Sequence, residues 1–316
     1  MKKWLSVICL TGSLIVSNQA SASTQDADVL FKEMGSAAQN LSYEMSFMTF
    51  NPQNIVPVRY RHAIIDGENI SQMIQMDSSR REIVQKGDRI SYFEPGFDAF
   101  SLNGDHIIDN LPMVLFADYQ KIQPYYNFID AGRTHIGDRP ALVIRIISKD
   151  NSRFNYVVLI DEETKLPLRV DLLDNNSQTL EQFRVISTVL DSKTVQDSLA
   201  TLRNVNLPPL LVSPRNENPS FKWQVGMLPP GFEETSRSVR KLADDDVIET
   251  AMFSDGLFTF SVNVTKASKG PLLDQPLQNG RRTIYTMTQK QNVITIIGEL
   301  PLATSQLIAS SIQFRE

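Results

Sequence analysis

The chain has 316 residues, 41% hydrophobic and 21% charged, with 31 basic against 36 acidic side chains and a formal charge of −5. That length fits one or two domains, and two is the expectation. The composition excludes disorder, a collagen-like repeat and a disulfide scaffold, and the acidic balance argues against a nucleic-acid binder, which carries a basic stripe.

Lys2 and Lys3 precede an apolar run from Trp4 to Val16, and Ala20-Ser21-Ala22 follows. A basic start, a short apolar stretch and small residues at the cleavage positions describe a signal peptide, residues 1–22, cut after Ala22. The run falls short of the ~20 residues that span a bilayer. The product is therefore expected to be soluble, exported by the Sec route and periplasmic. Cys9, the one cysteine, lies in this run and leaves with it. Val7 and Ile8 precede it where a lipid-anchored cysteine needs small residues. The mature chain then has no thiol for a disulfide or for catalysis, and loss of Lys2 and Lys3 moves the charge from −5 to −7.

Asp26 to Gln39 reads as the opening helix, with Val29, Leu30, Met34, Ala37 and Ala38 on a rough apolar face and two aspartates in the first turn, where the dipole favours them. The period then changes to two. Strands are predicted at Ser42–Phe50, Val58–Ile65, Asn69–Met76, Arg81–Gln85, Arg89–Phe93, Leu142–Ile147, Phe154–Ile160, Leu168–Leu173 and Leu180–Val189. Asp66-Gly67, Lys86-Gly87-Asp88, Asn103-Gly104-Asp105 and Asp174-Asn175-Asn176 separate some of them as turns. One helix, Leu111–Gln120, interrupts the series. The expected fold class is α+β: residues 23–206 form a large curved antiparallel sheet or open half-barrel with helices in its mouth. Residues 207–219 hold Pro208, Pro209, Pro214 and Pro219 and read as a semi-rigid linker. Residues 220–316 form a small α+β domain. It has a hairpin signal at Ser254-Asp255-Gly256, a strand with Phe258, Phe260, Val262 and Val264 on one face, a hairpin over Arg282–Thr288 and Asn292–Gly298, and a last helix near Pro301–Ile312.

Catalytic signatures are missing: there is no G-x-S-x-G, H-E-x-x-H, Walker loop or G-x-G-x-x-G. His62, His106 and His135 stand too far apart for a helical metal pair. Asp161-Glu162-Glu163 and Asp244-Asp245-Asp246 read as solvated turn carboxylates. No enzyme activity, metal or cofactor is expected. The segment Ile90–Tyr126 is more informative. Tyr92, Phe93, Phe97, Phe100, Phe116 and Tyr119 surround Leu111, Met113, Val114 and Leu115. An apolar stretch of this kind is either core or the lining of a pocket for an acyl chain or apolar peptide side chains. Arg281 and Arg282 follow Asn279-Gly280 and suit recognition of carboxylates or phosphates on a partner, with Phe258 and Phe260 nearby in the same domain.

Several stretches in order along the chain resemble the RseB/MucB family of periplasmic negative regulators of the sigma-E envelope stress response. They include Val58-Arg59-Tyr60-Arg61-His62-Ala63, Ile90-Ser91-Tyr92-Phe93-Glu94-Pro95-Gly96, Lys165 to Asp174, Leu180 to Ile186, Ser254-Asp255-Gly256-Leu257-Phe258 and Gly298-Glu299-Leu300-Pro301. The resemblance implies a large domain similar to the lipoprotein carriers LolA and LolB. It implies binding of the periplasmic domain of the anti-sigma factor RseA, shielding of RseA from the protease DegS, and release when lipopolysaccharide or lipoprotein acyl chains signal stress. A homo-oligomer remains open. The competing reading is a LolA-type carrier of lipoprotein acyl chains, for which residues 220–316 have no evident use.

Overall fold

The computed structural model describes residues 26–77, 81–211, 219–241, 247–267 and 275–315. The expected signal peptide, linker residues 212–218 and Asp244-Asp245-Asp246 lie outside the described residues. Alternating sequence builds an eleven-stranded antiparallel sheet from β1 (Tyr43–Phe50), β2 (Ile55–Ile65), β3 (Glu68–Gln75), β4 (Glu82–Lys86), β5 (Arg89–Phe93), β6 (Phe100–Asn103), β7 (Tyr126–Ile136), β8 (Arg139–Ser148), β9 (Asn155–Asp161), β10 (Pro167–Leu173) and β11 (Thr179–Val189). The order is β6-β5-β4-β3-β2-β1-β11-β10-β9-β8-β7. The sheet is open, with β6 and β7 as its edges.

The period of two places one row of each strand on the inner face. Met45, Tyr60, Met73 and Ile83 oppose one another across β1 to β4, and none is more than 2% exposed. Asp66 and Gly67 both take positive φ, the geometry a tight β2–β3 hairpin demands. Because consecutive strands β6 and β7 lie at opposite edges, residues 104–125 must cross the mouth of the sheet. That crossing explains the apolar stretch seen in the sequence, and it corrects the expected helix Leu111–Gln120. A single 3-10 turn, Met113–Leu115, and a short helix α2 (Tyr119–Ile122) stand there instead, after α1 (Ala27–Asn40). Asp26 caps α1 by accepting the Asp28 N–H at 3.2 Å. The helix buries Leu30, Phe31, Met34 and Ala38 in the concave core, where Phe31 meets Phe128 edge-on at 5.0 Å.

On the convex side α3 (Ser192–Leu199) covers Ala63 and Ile70 with Val195 and Leu199. The described part of the linker then docks on the sheet edge. Ser101 N–H donates to Pro209 O and Leu211 N–H to Ser101 O, both at 2.8 Å, while Arg89 Nη2 donates to Pro208 O at 2.7 Å. The prolines present carbonyls and leave no donor of their own unpaired.

The smaller unit pairs β12 (Trp223–Val225) with the last strand, β19 (Ile312–Phe314). Its main sheet holds β13 (Glu233–Lys241), β14 (Val247–Ser254), β15 (Thr259–Lys266), β16 (Gln275–Asn279), β17 (Arg282–Gln289) and β18 (Asn292–Gly298) in the order β13-β14-β15-β18-β17-β16, followed by helix α4 (Leu302–Ser310). Strands β6, β7, β16 and β19 and helix α3 are additions to the elements read from sequence. Of these, β6, β7 and β16 are edge strands, short or exposed on both faces, so their side chains carry little alternation.

Leu115 is 3% exposed in the core beneath α1. Leu115→Ala should cost ~2–5 kcal/mol in urea unfolding. A cost under ~1 kcal/mol would contradict its place in the core.

Candidate functional site

The two sheets meet at the mouth of the half-barrel, and the tip of the β14–β15 hairpin makes the joint. Asp255 sits in that tip. Its Oδ1 accepts the N–H groups of Leu257 and Phe258 at 2.9 and 2.8 Å, which fixes the turn. Its Oδ2 accepts Arg153 Nε at 2.6 Å and Tyr126 Oη at 2.8 Å, both from the large sheet's side. The Arg153 and Asp255 side chains are fully buried. Arg153 also donates to Pro230 O and to Asp150 and Ser152, and its guanidinium lies 4.9 Å from the Phe232 ring centroid. Burial, then the Asp255 carboxylate, holds the Tyr126 hydroxyl well above its ordinary pKa, so it stays a donor.

Apolar contacts surround this pair. Phe258 stacks on Tyr156 at 5.6 Å and meets Phe154 edge-on at 6.0 Å. Gly231 has φ +92°, and a Cβ there would stand 2.4 Å from the Tyr125 ring, so only glycine lets the chain pass so close. Thr304 of α4 donates to Ser152 O at 3.0 Å.

Beside the joint lies a cavity of ≈ 200 Å³. Its apolar wall includes Phe50, Leu111, Tyr156, Leu172 and Phe183, and Glu181 and Arg281 line its polar side. Arg281 pairs with Glu299 and, at 3.4 Å, with Glu181 across the joint. Burial raises the Glu181 carboxyl above its ordinary 4.5, with Arg281 opposing.

The residues singled out in the sequence divide among several places. Leu111 lines the cavity; Val114 and Leu115 are core. Met113 is partly buried in the 3-10 turn. Phe116 stacks on His106 at 4.1 Å, and Tyr119 packs on Phe128 and donates to Asp28. Tyr92 stacks on Phe100 at 5.0 Å and donates to Asp109. Phe93 and the 74% exposed Phe97 border a shallow surface hollow away from the joint. They do not converge on one pocket. Phe258 and Phe260 are each 1% exposed and belong to the interior, which corrects their expected presentation to a partner. Arg281 is likewise bound to carboxylates, and Arg282 alone of that pair is exposed.

His62 is buried, its Nδ1 2.7 Å from Leu41 O, and burial lowers its pKa. Among the described residues no cluster of histidine, cysteine or carboxylate side chains has the form of a metal site. Arg153, Gly231 and Glu181 are not marked as site residues in the sequence, and Tyr126 stands out there only as an aromatic of the Ile90–Tyr126 segment, because nothing local marks a pairing across a hundred residues. Asp255 was visible only as a turn residue.

Asp255→Ala leaves the buried Arg153 with only the partly exposed Asp150 as a carboxylate partner and should cost ~3–5 kcal/mol in urea unfolding. Adding Arg153→Met should recover at least ~1 kcal/mol; strictly additive losses would contradict the pairing. A carboxyl raised by folding favours the native state below 4.5, and this contribution is lost as pH rises through the higher folded value. The Tm of Glu181→Gln should therefore gain on the wild type as pH rises through that window. A constant or falling difference would contradict the assignment.

Comparison with known proteins places these features in a lineage. The family model of the MucB/RseB N-terminal domain matches residues 26–211, and that of the MucB/RseB C-terminal domain matches residues 217–313. The sigma-E factor regulatory protein RseB of Escherichia coli (strain K12) is 47% identical over 313 residues, covering 98% of each chain. The Haemophilus influenzae RseB is 36% identical over 312 residues, again with 98% of each chain. Among solved structures, the Pseudomonas aeruginosa MucA/MucB complex gives a TM-score of 0.73 at 22% identity, over 92% of this chain and 99% of that one. A crystal structure of MucB gives 0.58 at 23% identity, over 92% and 98%. The chain thus belongs to the MucB/RseB family of sigma factor regulatory proteins.

Proposed function

We propose that this protein is a periplasmic regulatory binding protein that restrains a sigma-E-type stress response by holding the periplasmic domain of an RseA-type anti-sigma factor. Binding covers the anti-sigma segment and shields it from a DegS-type protease. A lipid-like signal, such as lipopolysaccharide or a lipoprotein acyl chain, favours the unbound conformer and shifts the population away from the complex. The observation that carries this reading is the match of both domains, in order and over nearly the full length, to regulators of this kind.

The carrier alternative is weaker on a specific point. Helix α1 and the 104–125 crossing fill the concave face, and the cavity beside the joint, ≈ 200 Å³, is below the ~300–1,000 Å³ typical of ligand pockets. An acyl chain would have to displace part of the core or the joint. That requirement suits a signal that changes conformation better than a cargo.

Titration calorimetry of the secreted chain with the periplasmic domain of its anti-sigma factor tests the reading, and binding at micromolar concentration or below is expected. Silence at those concentrations would sink it. Arg282→Glu should weaken the complex at low salt, where screening is least. An unchanged Kd there would remove Arg282 from the interface.

A further inference from the structure

Residues on the convex face of the large sheet form a second surface that the regulatory reading does not use. Strand register lays out one row there: Val143 of β8 opposes Leu159, Leu159 opposes Arg169, Arg169 opposes Arg184, Arg184 opposes Met48, and Met48 opposes Pro57. Arg169 and Arg184 stand directly across from each other on neighbouring strands, a like-charge pairing that costs stability. Arg145 lies two residues from Val143 on the same face, and Arg59 two residues from Pro57. From β8 to β2 the arginines extend over five strand spacings, about 24 Å.

From β8 to β1 the carboxylates of this face are already committed: Asp161 is bound by Arg139 and Asp171 by Arg169, both at 2.7 Å, and Glu44 by Arg61 at 2.5 Å. Glu82, across Ile74 from Arg59, accepts from Gln72. Among the described residues Arg59, Arg145 and Arg184 have no carboxylate within ion-pair distance, and the buried Arg59 Nε has no hydrogen-bond partner. Exposed aliphatic groups flank them: Ile186 is 59% exposed and Ile129 42%. Helix α3 covers the neighbouring stretch around Ala63 and Ile70 and stops short of this one. A protein of charge −5 therefore keeps a local surplus of three guanidinium groups on a broad, aliphatic-edged surface.

We infer that this convex face docks on an anionic phospholipid surface, with Arg59, Arg145 and Arg184 meeting lipid phosphates and Ile129 and Ile186 reaching the interface. Guanidinium forks pair with phosphate oxygens while their stems cover apolar surface. The breadth of the row favours an extended anionic surface over a narrow acidic peptide. Docking of this kind leaves the concave side and the small domain turned away from the lipid.

Co-sedimentation of the secreted chain with phosphatidylcholine vesicles, with and without phosphatidylglycerol, tests the inference. The protein should sediment only with the anionic vesicles, and less as salt rises. Each arginine brought to an anionic surface contributes roughly a fivefold gain in partition. Arg145→Glu/Arg184→Glu should therefore lower it at least tenfold, and the milder Arg145→Gln/Arg184→Gln should fall between. Arg240→Glu, on the small domain, should bind as the wild type does. Equal sedimentation with neutral vesicles, none with anionic vesicles, or no change in either double variant would overturn the inference. Binding of polyglutamate in place of vesicles would overturn it too, and would assign the face to a protein partner.

Discussion

The buried ion pair between Arg153 and Asp255 is the constraint on which the arrangement of this molecule depends. Neither charge touches water, so each is tolerable only while the other stays in place. Asp255 can reach Arg153 only if the β14–β15 turn keeps its shape, and the same carboxylate fixes that turn through two backbone N–H groups. Turn geometry in one domain and side-chain position in the other are thus set by one group. A buried pair of this sort adds less to stability than apolar packing of the same volume would. Its contribution is selectivity: a small domain docked a few ångströms away would take Asp255 from its buried cation and leave Arg153 with Asp150 alone. The Phe258–Tyr156 stack and the Gly231–Tyr125 approach supply the apolar contact around it.

Under the proposed function that joint would bear on regulation, because it stands at the mouth of the half-barrel. The open sheet needs something across its concave side, since β6 and β7 lie at opposite edges. Residues 104–125 and α1 fill most of the space, and the small domain closes the remainder beside Glu181 and Arg281. A lipid-like signal of the kind proposed would meet the joint directly there. Its effect on partner binding would pass through contacts already at the interface, with no need for a distant relay.

Much of the fold was legible because a half-buried sheet writes its period into the sequence. Tyr43, Met45 and Phe47 alternate with polar residues, and the turns at Asp66-Gly67 and Ser254-Asp255-Gly256 stand where hairpins bend. The stretch around Leu111–Phe116 was recognised as apolar but misread as a helix. Its hydrophobicity answers to the crossing of the sheet's mouth, a demand of topology that no local period reveals. The candidate site was less legible. Arg153 follows Asn151-Ser152 in an ordinary polar turn, and its partner lies about a hundred residues away. Arg281 and Arg282 read as one basic patch, yet Glu181 and Glu299 claim only the first. Charges that pair over long sequence distances leave no signature in a single chain.

The two domains share one buried core and one buried ion pair, and so behave as a single cooperative body. Scanning calorimetry of residues 23–316 checks this. A single transition is expected, with its calorimetric enthalpy equal to the van't Hoff enthalpy. Two resolved transitions, one for each sheet, would contradict the account.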